Sequence, residues 1–339
     1  MSNNEDRGFN TVNNSSLSRR DQRLKLQRMT LMVIGALMLL MVVTLAVLII
    51  GYFVTSGSTD DPEKQPSNNG SKDKIVWTSL AVSAQDTVKG DLVLVNNSHE
   101  YTFPGNEDHL ENAYDAWAAH SNKTYKLGTS VIVETTALAA VDKMLSDMAA
   151  ATGYSEATLA EAYRNRKDQE GKSVAPGFSD HHTGLLCALN VKNDAAQAWL
   201  NENAAKYGFV VRYPADKEDK TGVSGYTFAY RYVGVAHASY MVEKNLCLEE
   251  YVEYLKANVT DKTPLSVTGA DGHAYEIYYY SVNGSASVKI PKNFAYTLSG
   301  TNDGGVVVTI DRSADATAET SAETSAETSA ETAANTTAE

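Results

Sequence analysis

Two stretches hold most of the side chains able to do chemistry. The first runs Ser179-Asp180-His181-His182-Thr183-Gly184-Leu185-Leu186-Cys187-Ala188-Leu189-Asn190, and the second Gly225-Tyr226-Thr227-Phe228-Ala229-Tyr230-Arg231-Tyr232-Val233-Gly234. Histidine changes charge near neutral pH and ligates metals as the neutral ring. Tyrosine ionises only near pH ~10, so it is a poor base at neutral pH. Upstream, Glu161-Ala162-Tyr163-Arg164-Asn165-Arg166-Lys167-Asp168-Gln169 supplies Arg164, whose planar guanidinium can pair a carboxylate through two parallel hydrogen bonds and is never deprotonated. On residue type alone Arg164 reads as a solvated surface arginine. His182 would point away from His181 in an extended segment, and both it and His237 read as surface or internally satisfied histidines.

In order and spacing the two stretches resemble the paired zinc motifs of the VanY-type D-alanyl-D-alanine carboxypeptidases (peptidase family M15), S-x-H-x-x-G-x-x-x-D and E-x-W-H-x-R-Y-V-G. The resemblance places His181 at the first metal-ligand position, Ala188 at the aspartate ligand, Ala229 at the second histidine and Tyr226 at the catalytic glutamate. Arg164 and Gln169 match the family's Y-R-S-x-x-x-Q segment, whose arginine and glutamine help hold the C-terminal end of the substrate, and Ser179 joins them in the implied groove. A hydrolytic zinc needs three protein ligands, an open position for its water and a carboxylate to take the proton. Alanine offers no lone pair. The resemblance therefore implies a degenerate member without a resident zinc or other cofactor, which binds or senses peptidoglycan stem peptides. The alternatives are an active metallo-D,D-carboxypeptidase that trims terminal D-alanine through an altered, zinc-holding site, and an envelope scaffold.

Elements must position these residues. Asp91-Leu92-Val93-Leu94-Val95-Asn96-Asn97 predicts a strand and looks like the family's opening. Leu138, Val141, Met144, Leu145 and Met148 recur at helical steps before Gly153, which predicts a helix with one buried face. Asp194 is placed to cap a helix through Leu200, Phe209–Pro214 has strand character, and residues 236–255 repeat at helical spacing. The resemblance covers about 91–257, and the fold class it implies is α+β, a central antiparallel sheet with flanking helices. Beyond it, 258–312 predicts a small β appendage with a hairpin at Asn283-Gly284. Tyrosines 275, 278, 279 and 280 are expected to form a cross-strand aromatic ladder rather than a sugar-stacking face.

The chain of 339 residues is 43% hydrophobic and 21% charged, enough for a sizeable core. No charge interrupts Met29–Thr59, and the apolar run at 29–54 is long enough for one uncleaved transmembrane helix. Residues 1–28 carry +3 and are expected in the cytoplasm; the remaining −16 lies outside and argues against nucleic acid or an anionic membrane surface as partner. The predicted order is thus a cytoplasmic segment 1–28, a membrane anchor 29–54, a flexible linker 55–74, a carboxypeptidase-like domain 75–257, the appendage 258–312 and a disordered Ala-Glu-Thr repeat tail 313–339. Cys187 and Cys247 are expected to be buried, unpaired thiols.

Overall fold

The computed structural model describes residues 74–128 and 130–315, all within one compact unit, Ser71–Glu339. The predicted anchor at 29–54, the segment before it, the linker up to 73 and the tail from 316 lie outside the described residues. Among the described residues, no helix is long and apolar enough to cross a membrane.

Thirteen strands are described: β1 Trp77–Ser83, β2 Leu110–Asn112, β3 Lys126–Leu127, β4 Ile132–Glu134, β5 Thr158–Glu161, β6 Leu186–Asn190, β7 Phe209–Val211, β8 Ala229–Tyr232, β9 Leu265–Thr268, β10 Ala274–Ser281, β11 Ser285–Pro291, β12 Ala295–Gly300 and β13 Gly305–Asp311. The helices among them are α1 Ala113–Ala119, α2 Thr135–Thr152, α3 Asp194–Asn203, the single turn α4 Glu218–Thr221, α5 Val235–Lys244 and α6 Leu248–Asn258. The fold is α+β. Its central sheet has the order β3-β5-β6-β8-β7. The expected antiparallel pairing holds for all neighbours except β3 and β5, which are parallel. Helix α2 lies in the connection between them, and such a crossover is what parallel neighbours require.

Helix α2 forms where the spacing predicts. The Glu134 carboxylate caps it by accepting from the Ala137 N–H at 2.9 Å, and Gly153 stops it at φ 71°, a left-handed conformation that glycine adopts without a Cβ penalty. Leu138, Val141, Met144, Leu145 and Met148 are buried, each contributing about 1.5–3 kcal/mol of apolar transfer. They pack against one face of the central sheet, with Cys187 and Leu189 of β6, Phe209 of β7 and Tyr230 of β8. Strand side chains alternate, so Leu186, Ala188, Ala229 and Arg231 turn to the opposite face. That face carries the site. In α3 the cap is Asn193 rather than Asp194, with its side chain accepting from the Ala196 N–H. The helical spacing over 236–255 resolves into two helices, α5 and α6, separated by Asn245 in a left-handed conformation.

Residues 92–95 are buried, but the stretch 91–97 does not form the predicted strand. Two arginines take the place of a neighbouring strand. Arg231 donates to the carbonyls of Asp91 and Val93 at 2.9 and 3.1 Å, and Arg212 donates to that of Val95 at 3.2 Å. Ser299 Oγ and the Thr301 carbonyl accept from the Leu92 and Leu94 N–H groups. With its backbone polar groups satisfied in this way, the segment needs no ladder.

The C-terminal part is a four-stranded sheet, β12-β13-β10-β9, beside the two-stranded pair β1-β11. Asn283-Gly284 turns the chain, but the hairpin expected there does not form: β10 pairs with β9 and β13, and β11 pairs with β1. The turn is a corner between two sheets. No aromatic ladder forms either, because Tyr278, Tyr279 and Tyr280 stand opposite Val308, Val307 and Val306. Tyr279 enters a core shared with Leu92, Val210, Val233 and the α5–α6 helices, whereas Tyr278 packs on the other face with Val288 and Ile290. The shared core spans residues 92–307 and crosses the boundary expected at 257, and β1, expected with the carboxypeptidase-like domain, pairs with residues 285–291.

Candidate functional site

The turn Asp180–Thr183 presents adjacent residues to different regions, and Gly184 makes it possible. Its φ of 72° suits glycine, and an added Cβ would lie 2.7 Å from Leu110 Cδ2. Asp180 points into the scaffold. Its carboxylate accepts from Arg212 Nε at 2.6 Å and from Arg231 Nε at 3.2 Å, and Arg212 also forks onto Glu249 at 2.8 and 2.9 Å. The side chains of Asp180, Arg212 and Arg231 have no solvent exposure, so two positive and two negative groups balance where an unpaired charge would be costly.

His181 points the other way, into a cleft of about 840 Å³. The carbonyl of Ala162 faces its Nδ1; a carbonyl can only accept, so Nδ1 carries the proton and Nε2 keeps its lone pair. Burial and the nearby Arg164 push the His181 pKa down to about 4, while burial pushes the Tyr226 phenol up. Both groups are therefore neutral near pH 7, and the Tyr226 hydroxyl donates to Nε2 at 2.8 Å. The lone pair that would bind a metal is occupied by a phenol. Tyr213 stacks on Tyr226 with ring centres 5.7 Å apart and Phe228 meets it edge-on at 4.5 Å, which together form one aromatic wall.

Ala188 on β6 stands opposite Ala229 on β8, an arrangement that puts the two methyl groups about 5 Å apart. These residues do not fit the zinc that the motif frame implies. His181 supplies one nitrogen that is already engaged, the two alanines supply nothing, and among the described residues no three His, Cys, Asp or Glu side chains are grouped to hold a metal ion. His182 is buried and satisfied, with the Gly177 N–H donating to its Nε2 and the Arg164 carbonyl facing its Nδ1. His237 likewise lies between the hydroxyls of Tyr251 and Thr309, 2.7 and 2.8 Å away. Cys187 and Cys247 are buried and unpaired.

The structure brings Arg164, Gln169, Ser179 and His181 to the same cleft. Arg164 is not the free fork that the motif implies. Its Nε and Nη2 both donate to the Glu161 carboxylate, and Nη1 donates to Gln169 Oε1 at 3.0 Å. Gln169 is anchored in turn, donating to the Val174 carbonyl at 2.8 Å. The hydrogen bonds from Arg164, opposed by partial burial, hold the Glu161 carboxyl below the usual range. Glu161, Tyr213 and Phe228 are cleft residues that the motif frame did not single out. Glu161 could have been noticed as an acid three residues before an arginine; Tyr213 carries no comparable signal.

Comparison with known proteins gives this cleft a context. The family description D-alanyl-D-alanine carboxypeptidase (VanY) matches residues 130–235, which contain the cleft residues named above. A D-alanyl-D-alanine carboxypeptidase of Enterococcus faecium is 30% identical over 268 residues, covering 74% of this chain and 84% of the relative. A second, from Enterococcus faecalis, is 38% identical over 107 residues, covering 30% of this chain and 38% of that one. Among solved structures, the vancomycin-resistance D,D-dipeptidase VanXYg, crystallised with a D-Ala-D-Ala phosphinate analogue, superposes with a TM-score of 0.60 at 26% identity, over 70% of this chain and 99% of its own. The motif frame read from His181, Gly184 and Arg231 thus agrees with likeness across most of a whole relative, and the chain belongs to the VanY-type D-alanyl-D-alanine carboxypeptidase family.

Proposed function

We propose that this protein is a membrane-anchored, extracytoplasmic member of the family that binds the D-alanine end of peptidoglycan stem peptides and does not hydrolyse them by metal chemistry. The observation that carries this reading is the hydrogen bond from Tyr226 to His181 Nε2, set beside the facing methyl groups of Ala188 and Ala229. A water-activating metal has no ligand set there, and the phenol that stands at the family's glutamate position is a poor base. The cleft itself is present, with Ser179 and Arg164 in its wall. The charge-free run at 29–54 and the basic residues before it support the anchor and its orientation.

A peptide bound through one charged contact and a few hydrogen bonds must still overcome its own ordering, so the expected Kd is micromolar to millimolar, about −4 to −8 kcal/mol. The test uses the full-length protein and a peptide ending in D-Ala-D-Ala, with calorimetric titration, elemental analysis for zinc and measurement of released D-alanine. Binding without stoichiometric zinc and without D-alanine release is expected. Release that depends on bound zinc would replace this reading with an active enzyme, and no binding would favour an envelope scaffold.

A further inference from the structure

Glu161 sits where an incoming carboxylate would have to sit to use the Arg164 fork. Both side chains line the cleft, and the Nε–Nη2 edge of Arg164, the edge suited to a planar carboxylate, is filled by the two Glu161 oxygens. Two further features make Glu161 removable. Its side chain is 38% exposed against 14% for Arg164, so it can swing into water without burying a charge. Arg164 keeps its place without it, because Gln169 holds Nη1 and is itself tied to Val174. The β5–β6 register shifts between Leu159 and Glu161, and such an irregularity re-aims side chains at a strand end.

From this arrangement we infer that Glu161 is a built-in competitor for the carboxylate end of the ligand, a side chain that sets the affinity of the cleft by occupying Arg164 until a ligand displaces it. The inference rests on the stem-peptide reading above. A tethered group competes at an effective concentration in the millimolar range or higher. If it fills the fork in nine of ten molecules, an incoming carboxylate binds about tenfold more weakly than it would to an open fork. The penalty applies to a ligand with a free carboxylate and not to one whose C-terminus is amidated.

The experiment titrates full-length wild type, Glu161→Gln and Glu161→Ala with a peptide ending in D-Ala-D-Ala and with its C-terminal amide. Glu161→Gln keeps the size of the side chain, and Glu161→Ala removes any residual acceptor. Both variants are expected to bind the free acid about tenfold tighter, with the amide unchanged. Replacing Arg164 by Lys within Glu161→Gln should cancel the gain. Wild type and variants binding the acid equally would overturn competition by Glu161 while leaving the stem-peptide reading intact. Equal tightening for the amide would also overturn it, since the effect would then not concern the carboxylate. Binding by neither wild type nor variants would defeat both readings.

Discussion

Asp180 and His181 are neighbours in one turn, yet they face regions of opposite character. Toward the scaffold, Asp180 meets two buried arginines whose other donors reach Glu249 and the backbone of residues 91–95. Toward the cleft, His181 meets a phenol, and the facing strands beside it offer methyl groups. Strand β8 serves both regions, with Ala229 and Arg231 two residues apart on one face. The charges that frame the domain are thus separate from the groups that would run its reaction. On the scaffold side the turn that shapes the cleft is anchored by Asp180, held between Arg212 and Arg231.

The strongest way to sharpen this comparison is to refill the cleft. Ala188→Asp, Ala229→His and Tyr226→Glu together should add several kcal/mol of zinc binding, because a complete ligand set closes the coordination sphere and a partial one does not. Elemental analysis and competition with a chelator read the result, and full occupancy from any single substitution would show that the motif register is wrong. The way to break the comparison lies on the other side of the turn. Asp180→Asn leaves Arg231 and Arg212 short of a buried carboxylate and should cost about 3–5 kcal/mol in urea denaturation; a loss below ~1 kcal/mol would mean that the network does not frame the turn.

A smaller effect comes from His237. Burial pushes its pKa down to about 3, below the ~6.5 of an unfolded chain. Between those values the unfolded state holds the extra proton, so the stability that His237 contributes is complete above pH ~6.5 and is lost as pH falls toward 3. The expected slope is about 1.4 kcal/mol per pH unit, and His237→Gln should flatten it in denaturation series from pH 7 to 4. The smallest effect belongs to Lys126→Ala. Its ion pair with Glu156 is more than half exposed at both ends, and about 0–1 kcal/mol is expected, which a thermal melt can read.

What was legible in the sequence is what local spacing encodes. The buried stripe of α2 follows from five residues at helical steps and a terminal glycine, and the family follows from two short motif frames. The remainder depends on partners distant in sequence. Asp180 finds Arg212 and Arg231 at separations of 32 and 51 residues, and those arginines, rather than a neighbouring strand, bond the carbonyls of Asp91, Val93 and Val95. Asn283-Gly284 carries a strong turn signal, but the turn chemistry does not specify which strands pair on either side. Local pattern could not show that β11 belongs to β1.

That pairing also bears on how the chain is made. Trp77 of β1 stands opposite Pro291 of β11, and Leu92 and Leu94 rely on Ser299 and Thr301 for their backbone partners. A chain produced from its N-terminus therefore makes β1 and residues 92–94 long before their partners exist. The backbone hydrogen bonds of α2 lie within its own 18 residues, whereas β1 must wait for about two hundred further residues. Contacts of such sequence separation slow folding, so during synthesis β1 stays without its strand partner, and open to proteases, until residues 285–291 have been made.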